Sequence, residues 1–455
     1  MTGTELRVDV LEAGSHASAG RVPCRIGRNL RFETAGLRSY CLGDWNPRIF
    51  DAFVVAAAVQ FCDGLRSRPP VSWSRRLDLR VPVHDPPLWA STGVSSPLIR
   101  ALSLQTGDRW RFHFTSRRTK ETARQGVLDL PHADEGVLPF SNGLDSHMVA
   151  ELLASPSGSK PLRVRLGASA PAGNGADTPF RSVPYRVRHA PRRAAESSAR
   201  SRGFRFALLG GVAAYLAGTH TVVVPESGQG ALGPSLVPVG QLPPDHRSHP
   251  AFLLLMREFL GALLDYDFCY DVPRLWNTKG ETLQELLTTQ PNDASWRATR
   301  SCWQGSRHVS VNEKRRQCGV CAACMLRRMS VHAAGATEEE DGYVWENLGA
   351  DCYEAGAAPA FKNRSPNGAL HEHAIAGTLH LEHLALLGLR HRESPKLSTH
   401  VRRLSRSLGL SRQETSEKLH RMLTKHAQEW ENFLDHLGTD SFITKWVAEI
   451  RDAYA

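Results

Sequence analysis

The chain has 455 residues, of which 41% are hydrophobic and 22% are charged, and its formal net charge is +10 at pH 7. This composition is ordinary for a soluble globular protein, and the length suggests two or three domains. The N-terminus carries no signal pattern and no apolar run reaches roughly 18 residues, so the sequence argues against a membrane span and predicts a cytoplasmic protein. The positive charge permits ATP, a nucleic acid or an acidic protein as a partner, but it does not decide between them.

Residues 1–130 are predicted to form an α/β module of their own. Three segments alternate as strands do, at 6–10, 77–83 and 109–114. In the last of these, Trp110, Phe112 and Phe114 should share one face. A helix of small apolar residues is expected to begin at Asn46 and Pro47. No catalytic constellation is evident here, so this module is expected to be structural or to bind a partner.

Strands and helices are predicted to alternate between residues 131 and 337. The strand patterns begin at Val137, Leu162, Val183, Thr221 and Phe268, and helices are expected at 204–217 and 251–264. This alternation favours an α/β fold with a doubly wound parallel sheet, covered by helices on both faces. The ligand of such a sheet binds at the carboxyl ends of its strands.

A polar turn follows the first of these strands and runs into a helix. The backbone N–H groups of Ser141, Asn142 and Gly143 can point the same way, and the helix start adds the positive end of its dipole. The hydroxyl groups of Ser141 and Ser146 can donate to phosphate oxygens. The carboxylate of Asp145 would repel phosphate unless Mg²⁺ stood between them. The turn therefore predicts a metal-bound pyrophosphate, and the alternative is a plain strand-to-helix turn capped by Asp or Ser.

Four of the nine cysteines are packed into one segment. Cys318, Cys321 and Cys324 have the spacing C-x2-C-x2-C, and Cys302 can supply a fourth thiolate from upstream. Four thiolates suit tetrahedral Zn²⁺ and leave no open position, so a structural zinc site is predicted. An iron–sulfur cluster is one alternative, and unligated buried cysteines are another.

From residue 338 to residue 455 the chain is predicted to be a helical extension. Helices are expected near 368–390, 396–408, 411–437 and 439–453. Ser411 and Glu414 have the spacing of a capping box at the start of the third helix. His380 and His383 share a face of the first helix, so a second metal site is conceivable, although no carboxylate or cysteine partner is fixed.

The polar turn resembles the S-G-G-x-D-S loop of the PP-loop ATP pyrophosphatases, enzymes that split ATP between its α and β phosphates and adenylate a substrate. The matching positions are Ser141, Gly143, Leu144, Asp145 and Ser146. Asn142 stands where that loop has its first glycine. Asparagine tolerates a left-handed backbone better than other non-glycine residues, so the loop can still close.

Combined with the cysteine pattern, the turn is similar to the QueC family, the 7-cyano-7-deazaguanine synthases, over roughly residues 134–335. The resemblance implies an ATP and Mg²⁺ site formed by Phe140, Ser141, Asn142, Gly143, Leu144, Asp145, Ser146 and Leu166. Phe140 and Leu166 would flank the adenine. It also implies structural zinc on Cys302, Cys318, Cys321 and Cys324.

The same resemblance points to three candidate catalytic residues, Asp145, Lys279 and Arg202. Lys279 lies in a Thr-Lys-Gly-Glu segment similar to the family's T-K-x-E turn. Arg202 falls on the family's Arg-Asn step, although Gly203 stands where Asn is expected. Lys279 and Arg202 would neutralise the departing pyrophosphate. The alternatives are a surface lysine at a helix start and a linker arginine.

The resemblance implies an enzyme that adenylates a 7-deazaguanine carboxylate and passes it to an amine. The Asn142 loop, the long gap before Cys318 and the flanking regions look like the QueC-like proteins of bacterial anti-phage systems, of the QatC type. That likeness implies a co-encoded protein partner whose N-terminus is the acceptor. The alternatives are a free-standing nitrile synthase, an ATP-binding scaffold without catalysis, and a tRNA-modifying PP-loop enzyme, so a nucleic-acid partner stays undecided.

Overall fold

The structure is a computed structural model and describes residues 5–32, 46–68, 74–119, 136–154, 161–166, 183, 185–196, 200–240, 242–304, 309–361, 365, 368–389 and 395–453. Within these residues the protein is α/β, and the strands of both larger sheets run parallel. No helix in the described part of the chain combines the length and apolar character that a membrane crossing requires.

The elements are numbered in chain order. The strands are β1 (Leu6–Leu11), β2 (Val22–Arg25), β3 (Leu30–Phe32), β4 (Arg76–Val83), β5 (Arg109–Ser116), β6 (Val137–Pro139), β7 (Leu162–Val164), β8 (Tyr185–Val187), β9 (Thr221–Val223), β10 (Cys269–Asp271), β11 (Ser310–Val311) and β12 (Lys314–Arg315). The α-helices are α1 (Pro47–Leu65), α2 (Pro86–Ala90), α3 (Thr92–Thr106), α4 (Leu144–Leu152), α5 (Arg202–Ala217), α6 (Gly228–Ala231), α7 (Gly233–Leu236), α8 (Pro250–Leu264), α9 (Lys279–Thr289), α10 (Ala322–Ala333), α11 (Ala369–Leu389), α12 (Pro395–Leu408), α13 (Arg412–Leu437) and α14 (Phe442–Ala453).

The contacts of the chain fall into two compact units. The first comprises Met1–Phe140, Leu153–Val224 and Asp245–Asp271, and the second comprises Ser141–Leu152, Pro225–Pro244 and Val272–Ala455. The chain therefore leaves the first unit and returns to it twice. The division into regions at 1–130, 131–337 and 338–455 stays a prediction.

The first sheet belongs to the first unit and has the strand order β2-β1-β4-β5. Helix α1 packs against β1 and β4. It begins where the sequence predicts, because the Asn46 side chain accepts the N–H of Arg48 at 3.0 Å and Pro47 needs no N–H partner at the first helical position. As predicted, the aromatic side chains of β5 share a face, with the Phe112 ring 6.2 Å from Trp110 and 5.8 Å from Phe114.

The second sheet, also in the first unit, has the strand order β10-β9-β6-β7. Val137 in β6 pairs with Leu162 on one side and Val222 on the other. In both sheets the first strand in the chain is an interior strand. The second strand pairs with it on one side, and the third pairs with it on the other side. The strand order therefore reverses beside β1 and beside β6, and ligands of open α/β sheets bind at such reversals. The doubly wound arrangement itself stays a prediction.

The predicted strand at 183–188 does not join the parallel sheet as a full strand. Val183 forms an isolated parallel bridge with Leu166, but β8 pairs antiparallel with β3, placing Tyr185 opposite Phe32. The reason lies in its alternation, since Arg186 is exposed between two half-buried neighbours. A strand inside a parallel sheet is buried on both faces and reads as a continuous apolar run.

The second unit is largely helical. Helix α4 packs on α9 through a small core formed by Leu144, Met148, Leu283, Leu286, Trp296 and Val331. The four helices predicted after residue 368 are all present, with bounds that differ by up to three residues. Helix α14 begins at Phe442 rather than at 439, because the Ser441 hydroxyl accepts the N–H of Ile443 and so caps the helix there.

Candidate functional site

The polar turn between β6 and α4 is closed by its own hydroxyl groups. The hydroxyl oxygens of Ser141 and Ser146 are 2.8 Å apart, and the N–H of Gly143 donates to the Ser141 hydroxyl at 3.1 Å. A side chain at Gly143 would begin 3.0 Å from that hydroxyl oxygen. The first N–H groups of a helix have no intrahelical acceptor. Two hydroxyls and the start of α4 thus lie together, which is the donor set that a phosphate needs.

Asn142 does not have the left-handed backbone that asparagine tolerates well. Asn142 and Gly143 are both outside the set of described residues with positive φ. The loop therefore closes, as expected, without using the tolerance of asparagine for a left-handed backbone. The side chain of Asn142 is exposed, and the backbone carbonyl oxygen of Asn142 accepts the N–H of Arg300 at 2.7 Å. Asparagine at this position imposes no backbone strain.

Asp145 and Lys279 form an ion pair across the second unit. The Nζ of Lys279 lies 2.6 Å from the Oδ2 of Asp145, and the two side chains are 7% and 15% exposed. The alternative of a surface lysine is excluded by this burial. The other carboxylate oxygen, Oδ1 of Asp145, is buried and has no hydrogen-bond partner among the described residues. A buried oxygen left in this way is stabilised when a cation or a donor reaches it.

Lys279 is held by the start of helix α9. The Thr278 hydroxyl accepts the N–H of Glu281 at 3.1 Å, while the Glu281 carboxylate accepts the N–H of Thr278 at 2.8 Å. This reciprocal pair is a capping box. The N–H of Lys279 itself donates to the side-chain oxygen of Gln229 at 2.8 Å. A lysine at a helix N-terminus opposes the helix dipole, so the carboxylate of Asp145 compensates an unfavourable placement.

His147 and the segment that follows α9 support the turn, and the sequence did not indicate them. The Nε2 of His147 lies 3.1 Å from the Oδ2 of Asp293 and 2.8 Å from the hydroxyl of Ser295. The pKa of Asp293 is lowered, because hydrogen bonds from Ser295 and His147 outweigh the effect of burial. His147 lies in α4, whereas Asp293 lies in a loop and Ser295 begins a short 3-10 helix far along the chain, so only the three-dimensional arrangement brings them together.

Phe140 and Leu166 belong to the first unit. Two guanidinium groups stack over the Phe140 ring, those of Arg163 at 4.7 Å and Arg165 at 4.8 Å. Burial, together with the charge of Arg163, lowers the pKa of Arg165 from its usual value. Leu166 is half-buried and forms the isolated bridge with Val183. The sequence contains a signal for these two arginines, since Arg163 in β7 and Arg165 just after it are two residues apart and such residues share a face of an extended segment.

Arg202 is the first residue of α5 in the first unit. Its guanidinium lies 5.3 Å from the Phe206 ring, and partial burial together with the charge of Arg247 lowers its pKa. Gly203 stands where the family resemblance leads one to expect Asn. A Cβ at this position would lie 2.9 Å from the backbone of Arg247, so the local packing admits only glycine.

The four predicted cysteines come together in the second unit. The Sγ atoms of Cys302, Cys318, Cys321 and Cys324 all lie within 4.8 Å of one another. Those of Cys318 and Cys324 are 3.7 Å apart, close to the edge of about 3.8 Å of a tetrahedron with Zn–S bonds of about 2.3 Å. Backbone N–H groups point at the sulfurs, that of Cys318 at Cys302 Sγ (3.2 Å) and that of Cys321 at Cys318 Sγ (3.3 Å). The donor set therefore fits a zinc ion, and the cluster can bind a metal.

The thiol cluster is connected to the polar turn through a short segment. Gln317 accepts the N–H of Ser301 on its side-chain oxygen at 2.7 Å, one residue before Cys302. Arg300, the preceding residue, is the one whose N–H donates to Asn142. Hydrogen bonds from the other thiols, that of Cys318 first, lower the pKa of Cys302, which favours a thiolate. The metal cluster and the turn thus share one stretch of backbone.

The conceivable second metal site is not formed by the described residues. Among them, the four cysteines are the one group of three or more potential ligands placed to hold a metal. The Nδ1 of His380 lies 2.8 Å from the carbonyl oxygen of Val237, and burial lowers its pKa to about 4. His380 is therefore a neutral histidine that packs inside the unit.

These observations define an α/β protein with two parallel sheets, a polar turn at a helix start and a four-thiolate metal cluster. The family model described as QueC, Queuosine biosynthesis protein QueC, matches residues 244–335. This segment includes Lys279 and all four cysteines. The match supports QueC-like family membership and suggests an ATP-using enzyme of the PP-loop class. A search of the curated proteins and a search of the solved structures found no match.

Proposed function

We propose that this protein is a QueC-like, ATP-dependent enzyme that adenylates a 7-deazaguanine carboxylate and passes the acyl group to an amine. The observation that carries the proposal is the buried pair of Asp145 and Lys279 beside the hydroxyl-lined turn, in the same unit as the four-thiolate cluster. The segment with the lysine and the cysteines is the one that the QueC family model matches.

The chemistry needs positioned phosphates and positive charge rather than a protein nucleophile. The hydroxyls of Ser141 and Ser146 and the N-terminus of α4 would orient the phosphates of ATP. Lys279 would neutralise charge that develops on the departing pyrophosphate. Mg²⁺ bound with ATP supplies further neutralisation, and the unpartnered oxygen of Asp145 is the group that would hold it.

Arg202 and the Phe140 surface complete the proposal on the first unit. Arg202 stays the second residue that we propose to neutralise phosphate charge. Phe140 and Leu166 would flank adenine, and the guanidinium groups of Arg163 and Arg165 over the Phe140 ring offer a planar surface of the kind on which a base stacks.

We propose the N-terminus of a co-encoded protein as the acceptor amine, in the manner of the QatC-type anti-phage proteins. Support comes from what lies outside the matched segment, since the chain continues on both sides of residues 244–335. The first sheet, β2-β1-β4-β5, is a complete parallel sheet of its own. A free-standing synthase for a small molecule needs the turn at 141–146 and the matched segment, but it does not need this first sheet.

The test is product analysis with purified protein, the co-encoded protein, ATP, Mg²⁺, 7-carboxy-7-deazaguanine and an ammonium salt. We expect AMP and pyrophosphate, together with a fixed mass increase on the N-terminal peptide of the co-encoded protein. Asp145→Ala should abolish AMP formation, whereas Lys314→Ala, which changes an exposed lysine, should not. A free nitrile without a modified protein would identify a nitrile synthase. ATP binding without any AMP would identify a scaffold and contradict the proposal, and modification of tRNA would identify a nucleic-acid partner.

A further inference from the structure

Helix α13, from the region predicted as a helical extension, contacts the turn that carries Lys279. Two of its side chains, those of Arg421 and Glu429, contact this turn directly, and that of His426 is connected to it through Gln229. They lie within eight residues of one another, which is roughly two helical turns. All of these residues belong to the second unit.

Arg421 holds the outer side of the turn. Its Nη1 donates to the carbonyl oxygen of Trp276 at 2.9 Å and to the Oε2 of Glu281 at 2.8 Å. Glu281 is the carboxylate of the capping box, so Arg421 fixes the group that in turn fixes the N–H of Thr278.

His426 holds the backbone of Lys279 through one intermediate. Its Nε2 lies 3.0 Å from the carbonyl oxygen of Leu381, which assigns the ring proton to Nε2. Nδ1 then accepts from the Gln229 amide nitrogen at 2.8 Å, and the Gln229 oxygen accepts the N–H of Lys279 at 2.8 Å. Burial lowers the pKa of His426 to about 4, so the ring in this chain of hydrogen bonds is neutral at physiological pH.

Glu429 holds the inner side of the turn. Its Oε1 accepts the hydroxyl hydrogen of Thr278 at 2.5 Å, and its Oε2 is buried without a hydrogen-bond partner among the described residues. A Cβ on Gly280 would lie 2.8 Å from Glu429 Oε1 and 2.9 Å from the Cβ of Ala333. The residue after Lys279 must therefore be glycine for the helix to approach this closely.

We propose that Arg421, His426 and Glu429 are positioning residues that hold Lys279 in contact with Asp145. Helix α13 thereby contributes to the arrangement of the catalytic residues. The catalytic meaning of this placement rests on the proposed function. The placement itself rests only on the contacts between helix α13 and the turn.

Glu429 also makes the arrangement sensitive to pH. Burial raises its pKa to about 7, and the hydrogen bond from Thr278 and the charge of Lys425 only partly oppose the rise. The other groups that act on its pKa are Glu281, whose charge raises it, and Gln229, whose hydrogen bond lowers it. A carboxyl whose pKa is higher in the folded protein favours folding when protonated, so stability falls as the pH rises from 4.5 to about 7. Below pH 7 the carboxyl is neutral, and above pH 7 a buried negative charge forms beside Thr278, which disturbs the start of helix α9.

The kinetic test compares Glu429→Ala, Glu429→Gln and, as a control, Gln428→Ala at an exposed neighbouring position. Glu429→Ala should lower kcat for AMP formation about ten- to hundredfold, with a smaller change in KM for ATP, since a misplaced catalytic group costs up to about a hundredfold. Glutamine mimics the protonated carboxyl, so Glu429→Gln should keep activity and should lack the fall above pH 7 that we expect of the natural protein. Wild-type kcat in Glu429→Ala, or an unchanged pH profile in Glu429→Gln, would overturn the proposal.

A second measurement separates this proposal from the proposed function. Hydrogen exchange at residues 276–281 should become at least tenfold faster in Glu429→Ala and in His426→Ala, and should not change in Gln428→Ala. This readout requires no substrate, so it remains decisive for the placement even if the natural protein forms no AMP and the proposed function fails. Unchanged protection in both variants would show that helix α13 does not position the lysine turn.

Discussion

The two parallel sheets have the same strand order, which reverses beside β1 in the first sheet and beside β6 in the second. We call these places the first and the second reversal, and they differ in the residues that follow β1 and β6. After β1 comes Glu12, whose carboxylate accepts the N–H groups of Arg118 at 3.0 Å and Thr119 at 2.9 Å. After β6 come small hydroxyl residues and the start of a helix, and the Asp145 oxygen nearby has no partner among the described residues. The chain satisfies the carboxylate at the first reversal, whereas one carboxylate oxygen at the second has no partner among the described residues. A strand order alone therefore does not make a site.

The largest effect should come from removing the buried ammonium group of Lys279, which pairs with Asp145 after the second reversal. Lys279→Ala should lower kcat for AMP formation about a hundred- to thousandfold, since a lost transition-state donor costs that much. Glu12→Gln at the first reversal should leave the same rate unchanged. The measurement is AMP release under saturating ATP for both variants. Equal losses in the two variants would show that the two sheets do not differ in function.

A second, smaller effect concerns the metal cluster. Because Arg300 and Ser301 connect the turn to Gln317 and Cys302, removal of zinc should loosen the turn and weaken ATP binding about tenfold or more, in the range seen when groups around a metal site are lost. Amide protection of β1 and β4 in the first sheet should not change. Metal analysis, ATP titration and hydrogen exchange on the same chelated sample test this. Loss of protection throughout both sheets would show that zinc supports the whole chain instead.

Much of this arrangement could be predicted from local sequence, and the rest could not. The spacing of Cys318, Cys321 and Cys324 predicted a thiolate cluster because the ligands lie within one short loop. The pairing of Asp145 with Lys279 joins positions far apart in the chain. The chemistry of the turn indicated Asp145 and the family resemblance indicated Lys279, but neither predicted that they form a pair. Glu429 was not found at all, since a glutamate on an amphipathic helix is ordinarily on a solvated face. Its partner Thr278 is remote in sequence, and periodicity carries no information on such contacts.

The misassigned strand at 183–188 illustrates the same limit. Its apolar and basic residues alternate, which is the pattern of a half-buried antiparallel strand. Its order in the chain, between two strands of the second sheet, suggested a parallel neighbour. The partner strand, β3, lies more than a hundred residues upstream. The local pattern was thus informative, and the chain order was misleading.

The closed first reversal leads to a stability prediction. Burial raises the pKa of Glu12, but the N–H groups of Arg118 and Thr119 outweigh it, so the pKa is lowered from 4.5. A carboxyl of this kind stabilises the fold above pH 4.5, and the contribution is lost as the pH falls through its folded pKa. Glu12→Gln should therefore reduce the free energy of unfolding by about 1–3 kcal/mol at pH 7, and by less at pH 3. Thermal unfolding at both pH values checks this, and a loss that did not shrink in acid would contradict it.

The smallest effect is expected at Asn142, where the chain departs from the glycine of related loops. Because the backbone at this position is not left-handed and the contact to Arg300 uses the carbonyl oxygen, Asn142→Gly should keep AMP formation within about threefold of the natural rate. It should lower stability by up to about 1 kcal/mol, because glycine loses more backbone freedom on folding. Steady-state rates and thermal unfolding of the variant provide both values. A large gain in rate would mean that asparagine restrains the turn through its exposed side chain, and the second reversal would then be a partly closed site that resembles the first more than its hydrogen bonds indicate.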